Sequence, residues 1–329
     1  MLIIVLVLNV VKIGVVLPIY DVDVREALHF GVQAENLGYD SLWVEDHLMP
    51  WQLSCEKPTL EGWVLLSILA EKTERIMLGT MVSNILYRHP VILAKLAVMV
   101  DRISNGRFTM GLGLGWYGDE AKAYGLPMPS LRVRIEMFEE AIKLMKKLWT
   151  GKGRVSFKGK YFNLENAPFE PKPIQKPHPP IIVGTGGEKV MLKIVAREAN
   201  GWNYGALSPE EVKHKLGVLR KYCEEIGRSF KELEKTFELY VFIGKTRDEA
   251  ESILKEYLEI VPKGDKLQHV IQQLYIENAL KGTPDDILER MERYVEAGIK
   301  HFILVFPGKR RFEMMKYFSE RVLEKAKKL

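Results

Sequence analysis

The chain has 329 residues, 47% of them hydrophobic, and carries 48 basic against 43 acidic side chains for a net charge of +5. So even a balance, with no basic run before the terminal KAKKL, gives no reason to expect nucleic acid as a partner and describes a solvated surface of mixed sign. Its two cysteines, Cys55 and Cys223, come without a CxxC pair or a His/Cys cluster, which argues against a disulfide framework and a zinc site and fits a reducing, cytoplasmic setting.

The first eleven residues, MLIIVLVLNVV, are apolar but fall short of the roughly 20 needed to span a bilayer. They also lack the positive start and small-residue cleavage site of a signal peptide. An added strand, or an extension ahead of the first strand, is the expectation; a membrane anchor is the alternative.

Short apolar or β-branched runs then follow at KIGVVLP, SLWVED, IMLGTMV, RFTMGLG, PIIVGT, GWNYG, FELYVFIG and HFILVF. Amphipathic stretches of helical length separate most of them. In the first, Ala27, Phe30, Ala34 and Leu37 recur at the 3, 4, 3 spacing of one helix face, and Gly38 marks its end. WVLLSILAEKT, VILAKLAVMVDRI, LRVRIEMFEEAIKLMKKLW and EEVKHKLGVLRKYCEEI read the same way.

Alternation of this kind predicts parallel strands with crossover helices, and near-continuous apolar strands predict burial on both faces. Eight such units predict an α/β fold, a (β/α)8 TIM barrel, as a single domain over 1–329 with insertions after strands 4 and 7. The first insertion, at about 150–180, predicts a hairpin (RVSF, KGKYFNL) and a proline-rich connection. The second, near 257–283, is irregular, with helix broken at KGTP.

Chemistry in such a barrel gathers at the C-terminal ends of strands. After strand two, His47 follows Glu45 and Asp46, which could orient it or raise its pKa; a histidine titrating near neutrality can exchange a proton at working pH. The alternative is a histidine that merely bonds loop backbone. Trp51 offers an apolar wall for a flat ring, or ordinary packing. Arg88 suits an anion or a rim salt bridge equally.

GLGLGWYG at 111–118 contains the letters G-x-G-x-x-G. A dinucleotide fingerprint needs a helix directly after the loop and an acid at the end of the next strand. Here at most one helical turn precedes Pro127, and Glu136 and Glu139 fall inside an amphipathic helix. The glycines instead suggest close backbone approach at a strand end. Gly184, Thr185, Gly186 and Gly187, before a predicted helix, make either an anion cradle or a tight glycine turn. No metal centre, nucleophile elbow or catalytic cysteine is legible, so a cofactor carrying its own chemistry is expected.

Three stretches, AENLGYDSLWVEDHLMPW, LGTMVSNILYRHPVILAKLAVMVDRISNGRFTMGLGLGWYGDEAKAYGLP and PKPIQKPHPPIIVGTGGEKVMLKIVAREANGWN, together resemble the bacterial luciferase-like superfamily, and within it the coenzyme F420-dependent oxidoreductases. The similarity covers residues 12–245 and weakens beyond. It implies a barrel that binds a flavin or 5-deazaflavin at its strand ends and moves a hydride to or from a small organic substrate. By this resemblance His47 is the proton donor or acceptor and Asp46 its acidic companion beside the ring. Thr80, Met81 and Val82 match a stretch bearing a non-proline cis peptide behind the ring, Asp119 a polar contact to the cofactor, and Gly184 to Gly187 the phosphate cradle. Trp51 and Trp116 match the substrate pocket. Trp116 stands where the family's sugar-phosphate dehydrogenases carry a glutamate, which points to a more apolar substrate. The resemblance further implies a homodimer packed through early helices, with neither membrane nor nucleic acid as partner. An FMN-dependent monooxygenase supplied by a flavin reductase is the alternative, and a non-catalytic flavin-binding relative a third.

Overall fold

The computed structural model describes residues 10–262 and 273–329. The first nine residues of the apolar N-terminal stretch, and part of the segment read as irregular, lie outside the described residues. Where description begins, Val11 is fully buried and its N–H meets the carbonyl of Lys327 near the C-terminus.

All eight apolar runs are strands, and they pair in parallel. They are β1 (Lys12–Val16), β2 (Ser41–Val44), β3 (Met77–Thr80), β4 (Phe108–Gly113), β5 (Ile181–Gly184), β6 (Gly201–Gly205), β7 (Glu234–Ile243) and β8 (His301–Val305). Each pairs with the next in sequence. β7 pairs with both β6 and β8, and β8 pairs with β1, which closes the barrel. Closure leaves no edge strand in the barrel, and the strand residues are buried almost throughout because helices cover the outer face.

The crossover helices begin and end where side chains satisfy orphan backbone groups. α1 (Val24–Asn36) is capped by the Asp23 carboxylate and terminates at Gly38, whose φ of 86° is open to glycine at little cost. α2 (Gly62–Lys72) is capped by Glu61, and α3 (Pro90–Ile103) carries its proline in the first turn, where no N–H is missed. A short helix, α4 (Gly118–Ala123), precedes α5 (Leu131–Thr150), α6 (Met191–Glu198) and α7 (Pro209–Glu225). A Ser208–Glu211 capping box starts α7.

The insertion after β4 is an antiparallel hairpin, but its second strand is Asn163–Pro168 rather than the expected KGKYFNL. The Glu140 carboxylate of α5 takes the N–H groups of Lys160, Tyr161 and Phe162, which fixes that stretch as the turn. The second insertion is more regular than expected. Helix Arg247–Ile260 enters it, and Leu280–Gly282 extends β7 as a further parallel strand before the next helix starts at Pro284.

The closed end of the barrel holds a polar network at the strand starts. The Ser41 hydroxyl meets His301 Nε2 at 2.7 Å, and His301 Nδ1 meets Glu234 at 2.9 Å. Gly14 makes room for it, since a Cβ there would sit 2.1 Å from the Ser41 oxygen. Placed opposite the strand C-termini, this network belongs to stability.

Candidate active site

At the other end, β3 and β4 lose register. Gly79 pairs with Thr109, yet Ser83 pairs with Leu112, so one extra residue bulges out of the β3 side. The bulge holds Met81 and Val82, joined by a cis peptide bond. The glycines of β4 and β5 exist for this bulge. A Cβ on Gly111 would lie 1.8 Å from the Thr80 carbonyl oxygen. On Gly113 it would lie 2.6 Å from a Val82 methyl, and on Gly184 2.9 Å. The close approach expected of GLGLGWYG is therefore to β3 and its bulge. The Thr80 hydroxyl is turned into the same seam, donating to the Gly111 carbonyl and accepting the Gly111 N–H.

His47, at the end of β2, is oriented by Glu120 of α4. His47 Nδ1 lies 2.9 Å from Glu120 Oε2, and the other carboxylate oxygen accepts the N–H groups of Leu48 at 2.5 Å and Met49 at 3.1 Å. The Tyr87 hydroxyl also donates to Glu120. Burial disfavours the charged imidazole, but the hydrogen bond and charge of Glu120, then the charges of Glu45 and Asp46, outweigh it and raise the His47 pKa. Burial likewise opposes the Glu120 carboxylate, and its bonds from His47 and Tyr87 outweigh that and hold its pKa below the ordinary value. The two form a pair that favours the protonated imidazole, Glu120 fully buried and His47 partly so, with Nε2 left for proton exchange.

Asp46 serves a different partner. Arg88 reaches both its oxygens at 2.8 Å from Nη1, and Nη2 turns to Glu61 at 2.5 Å. Burial still pushes the Asp46 pKa up to about 6 despite the arginine. Arg88 is thus a salt bridge of the rim, and the neighbours expected to orient His47 act on it only through their charge.

Around this pair stand aromatic walls. Trp116, 39% exposed, meets His47 and Trp51 edge-on, each at 5.7 Å between ring centres, and stacks on Tyr117 at 5.1 Å. Trp51 is buried, donates from Nε1 to Glu45, and leads to Tyr275 at 5.6 Å. The rim of β5 carries the glycine loop. Gly187 is exposed, while a Cβ on Gly186 would come within 2.5 Å of the Tyr204 hydroxyl. The Gly187 N–H is used by the Thr185 hydroxyl, and a turn over 188–190 separates the loop from α6 at Met191, so the helix does not open directly on it. The Lys215 ammonium sits beneath, bound to the Gly186 carbonyl and to Glu188. Exposed glycine backbone above a lysine suits an anionic group of a cofactor, and the aromatic mouth suits a flat ring.

The structure thus brings His47, Trp51 and Trp116 together, with Met81 and Val82 on the bulge of the same rim. Asp119 is exposed on the first turn of α4. Sequence reasoning missed Glu120, one residue further on, and with it Tyr87. The signal was an acid four residues beyond Trp116 that a helical turn rotates inward. Among the described residues no cluster of three or more His, Cys, Asp or Glu could hold a metal ion, and no helix is long and apolar enough to cross a membrane.

A family model described as luciferase-like monooxygenase matches residues 5–301. The F420-dependent glucose-6-phosphate dehydrogenase of Amycolatopsis mediterranei (strain U-32) is 26% identical, covering 93% of this chain and 95% of its own. That of Kineococcus radiotolerans is 29% identical, covering 89% and 90%. Among solved structures, an F420-dependent secondary alcohol dehydrogenase bound to an F420–acetone adduct superposes with a TM-score of 0.81 at 23% identity, over 95% of this chain and 98% of the other. A long-chain alkane monooxygenase reaches 0.80 at 17%, over 96% and 90%. At these identities the structural likeness speaks for the shared barrel.

Proposed function

This chain belongs to the luciferase-like monooxygenase family of oxidoreductases, and from that premise we propose that it uses coenzyme F420 to move a hydride to or from a small organic molecule with an apolar body. The observation that carries this reading is the part-buried His47–Glu120 pair, set among Trp51, Trp116 and Tyr117 on the same rim as the Met81–Val82 bulge. Coenzyme F420, when bound, supplies the hydride donor or acceptor at C5 of its deazaflavin ring and does not readily react with oxygen. The glycine loop 184–187, exposed at Gly187, and the bulge are the parts of this chain that would hold it.

Because Glu120 raises the His47 pKa, the residue is biased towards giving a proton rather than taking one. In a carbonyl reduction, the carbon gains the hydride while Nε2 delivers its proton to the oxygen. The opposite direction needs neutral His47 and so a higher pH. Trp51 and Trp116 exclude water and press on a flat or aliphatic body. Trp116 at the mouth, which offers no hydrogen-bonding carboxylate to a sugar, and the buried carboxyl Glu45 both disfavour a phosphorylated sugar.

Titration with F420 and, separately, with FMN and reduced FMN tests the cofactor. Tight binding of FMN alone, with oxygen consumption, would install the monooxygenase reading instead. His47→Ala is expected to bind F420 within a few-fold of the parent and to lose roughly 10²-fold or more in turnover; a mutant with parental turnover refutes the role. Exposed Val64, Ile92 and Met99 on α2 and α3 support a dimer joined through these helices, which sedimentation tests directly.

A further inference from the structure

Beyond Trp51, the barrel mouth opens into a cavity of about 310 Å³ between the loops that follow β1 and β8. Apolar Leu17, Val305 and Phe306 share its lining with the polar side chains of Tyr20, Glu45 and Tyr257. The Tyr20 hydroxyl lies beside Glu45 and the Tyr257 hydroxyl beside Tyr240, each without a hydrogen bond of ordinary geometry. Both side chains are more than nine-tenths buried.

Behind this lining stands a second carboxyl. Glu238 of β7 is 8% exposed, accepts one bond from the Tyr275 hydroxyl at 3.1 Å, and leaves Oε1 without a partner among the described residues. Glu45 accepts from Trp51 Nε1 at 3.1 Å. Among the described residues neither carboxyl has a lysine or arginine in salt-bridge range. The charge of His47 acts on Glu45, but His47 is already bonded to Glu120. The rings of Tyr240 and Tyr275 lie behind, tilted to each other at 4.9 Å, with Tyr257 edge-on to Tyr240. At the solvent end the charges largely cancel: Asp21 pairs with Lys57, Glu26 with Arg311, and Lys309 is exposed.

We propose that this chamber is a second substrate subsite and that it takes an ammonium group. The proposal rests on the reading that the barrel mouth holds the substrate. A buried carboxyl in the lining with a second buried carboxyl behind it, phenol oxygens and aromatic faces are the chemistry that recognises a compact organic cation. A neutral alcohol would satisfy the hydroxyls and leave Glu45 without a cation. The substrate class is then an amine with an apolar body, its reacting carbon towards His47 and its nitrogen towards Glu45.

Calorimetric titration of the full-length protein with benzylamine and with benzyl alcohol, at about pH 7.5, tests this without turnover. Benzylamine is expected to bind at least about tenfold more tightly. Glu45→Gln should remove most of that preference and Glu238→Gln part of it, while benzyl alcohol affinity stays within about twofold. Equal affinities in the parent protein overturn the proposal whether or not the variants fold, and so does a Glu45→Gln protein that is folded by circular dichroism and keeps the full preference. A parallel F420 titration separates the two readings. Cofactor binding without amine preference sinks the subsite alone, and amine preference without F420 binding sinks the proposed function alone.

Discussion

Glu120→Gln is the sharpest perturbation of the site because it changes charge and almost nothing else. The side chain is fully buried and receives four donors: His47, Leu48, Met49 and Tyr87. Glutamine keeps an oxygen for the Leu48 and Met49 N–H groups, so the loop that carries His47 should stay in place. Its amide turns a donor towards His47 and Tyr87, where two charge-assisted bonds stood. Each such bond contributes about 1.5–3 kcal/mol, so a loss on the order of 3 kcal/mol in protonated-state stabilisation is expected, or roughly 10²-fold in any step that needs His47 as acid. The assay is a histidine-resolved NMR titration beside kcat and kcat/KM against pH. In the parent, His47 titrates above the ordinary histidine range. In the variant, burial is no longer outweighed by Glu120 and the titration moves down, carrying the rate profile with it. A variant whose His47 titrates as before, or whose rate falls equally at every pH, would refute the pairing.

The same pair makes stability depend on pH. A raised histidine contributes below its unfolded value of 6.5 and is lost as pH rises through its folded value. A lowered carboxylate contributes above 4.5 and is lost as pH falls. The stability difference between parent and Glu120→Gln should therefore peak between about pH 4.5 and 6.5, measured by urea unfolding. Glu238 runs the other way. Burial raises its pKa from 4.5 to about 8, so the parent loses stability as pH rises across that window. Glu238→Gln should match the parent near pH 5 and exceed it by something on the order of 4 kcal/mol above pH 8; a constant difference would contradict the burial account. In the glycine motif, Gly111→Ala should cost about 3 kcal/mol or more, because its Cβ strikes the Thr80 carbonyl. Gly118→Ala, with nothing within 4 Å, should stay within about 0.5 kcal/mol. Arg88→Met leaves buried Asp46 without its cation and should cost about 3 kcal/mol, with no such loss in an Asp46→Asn/Arg88→Met double variant.

The sequence by itself determined the barrel. Eight apolar runs with helical stretches between them have one economical arrangement, since a parallel strand buried on both faces demands crossover helices and eight of them close on themselves. It also pointed to the candidate site, because His47, the bulge at Met81–Val82 and the loop at 184–187 follow the ends of strands. Periodicity is a local signal and carries that far. Tertiary structure decided which side chains meet. Glu120 and His47 are 73 residues apart and touch because α4 folds one turn back over the end of β2. Glu45 lines the chamber, and Glu238 of β7 lies close enough behind it for their charges to interact. GLGLGWYG shows the boundary between the two. Its spacing matches a nucleotide loop by letter, but what its glycines accommodate is the Thr80 carbonyl and the Val82 methyls, a contact between strands that no reading along a single one could reach.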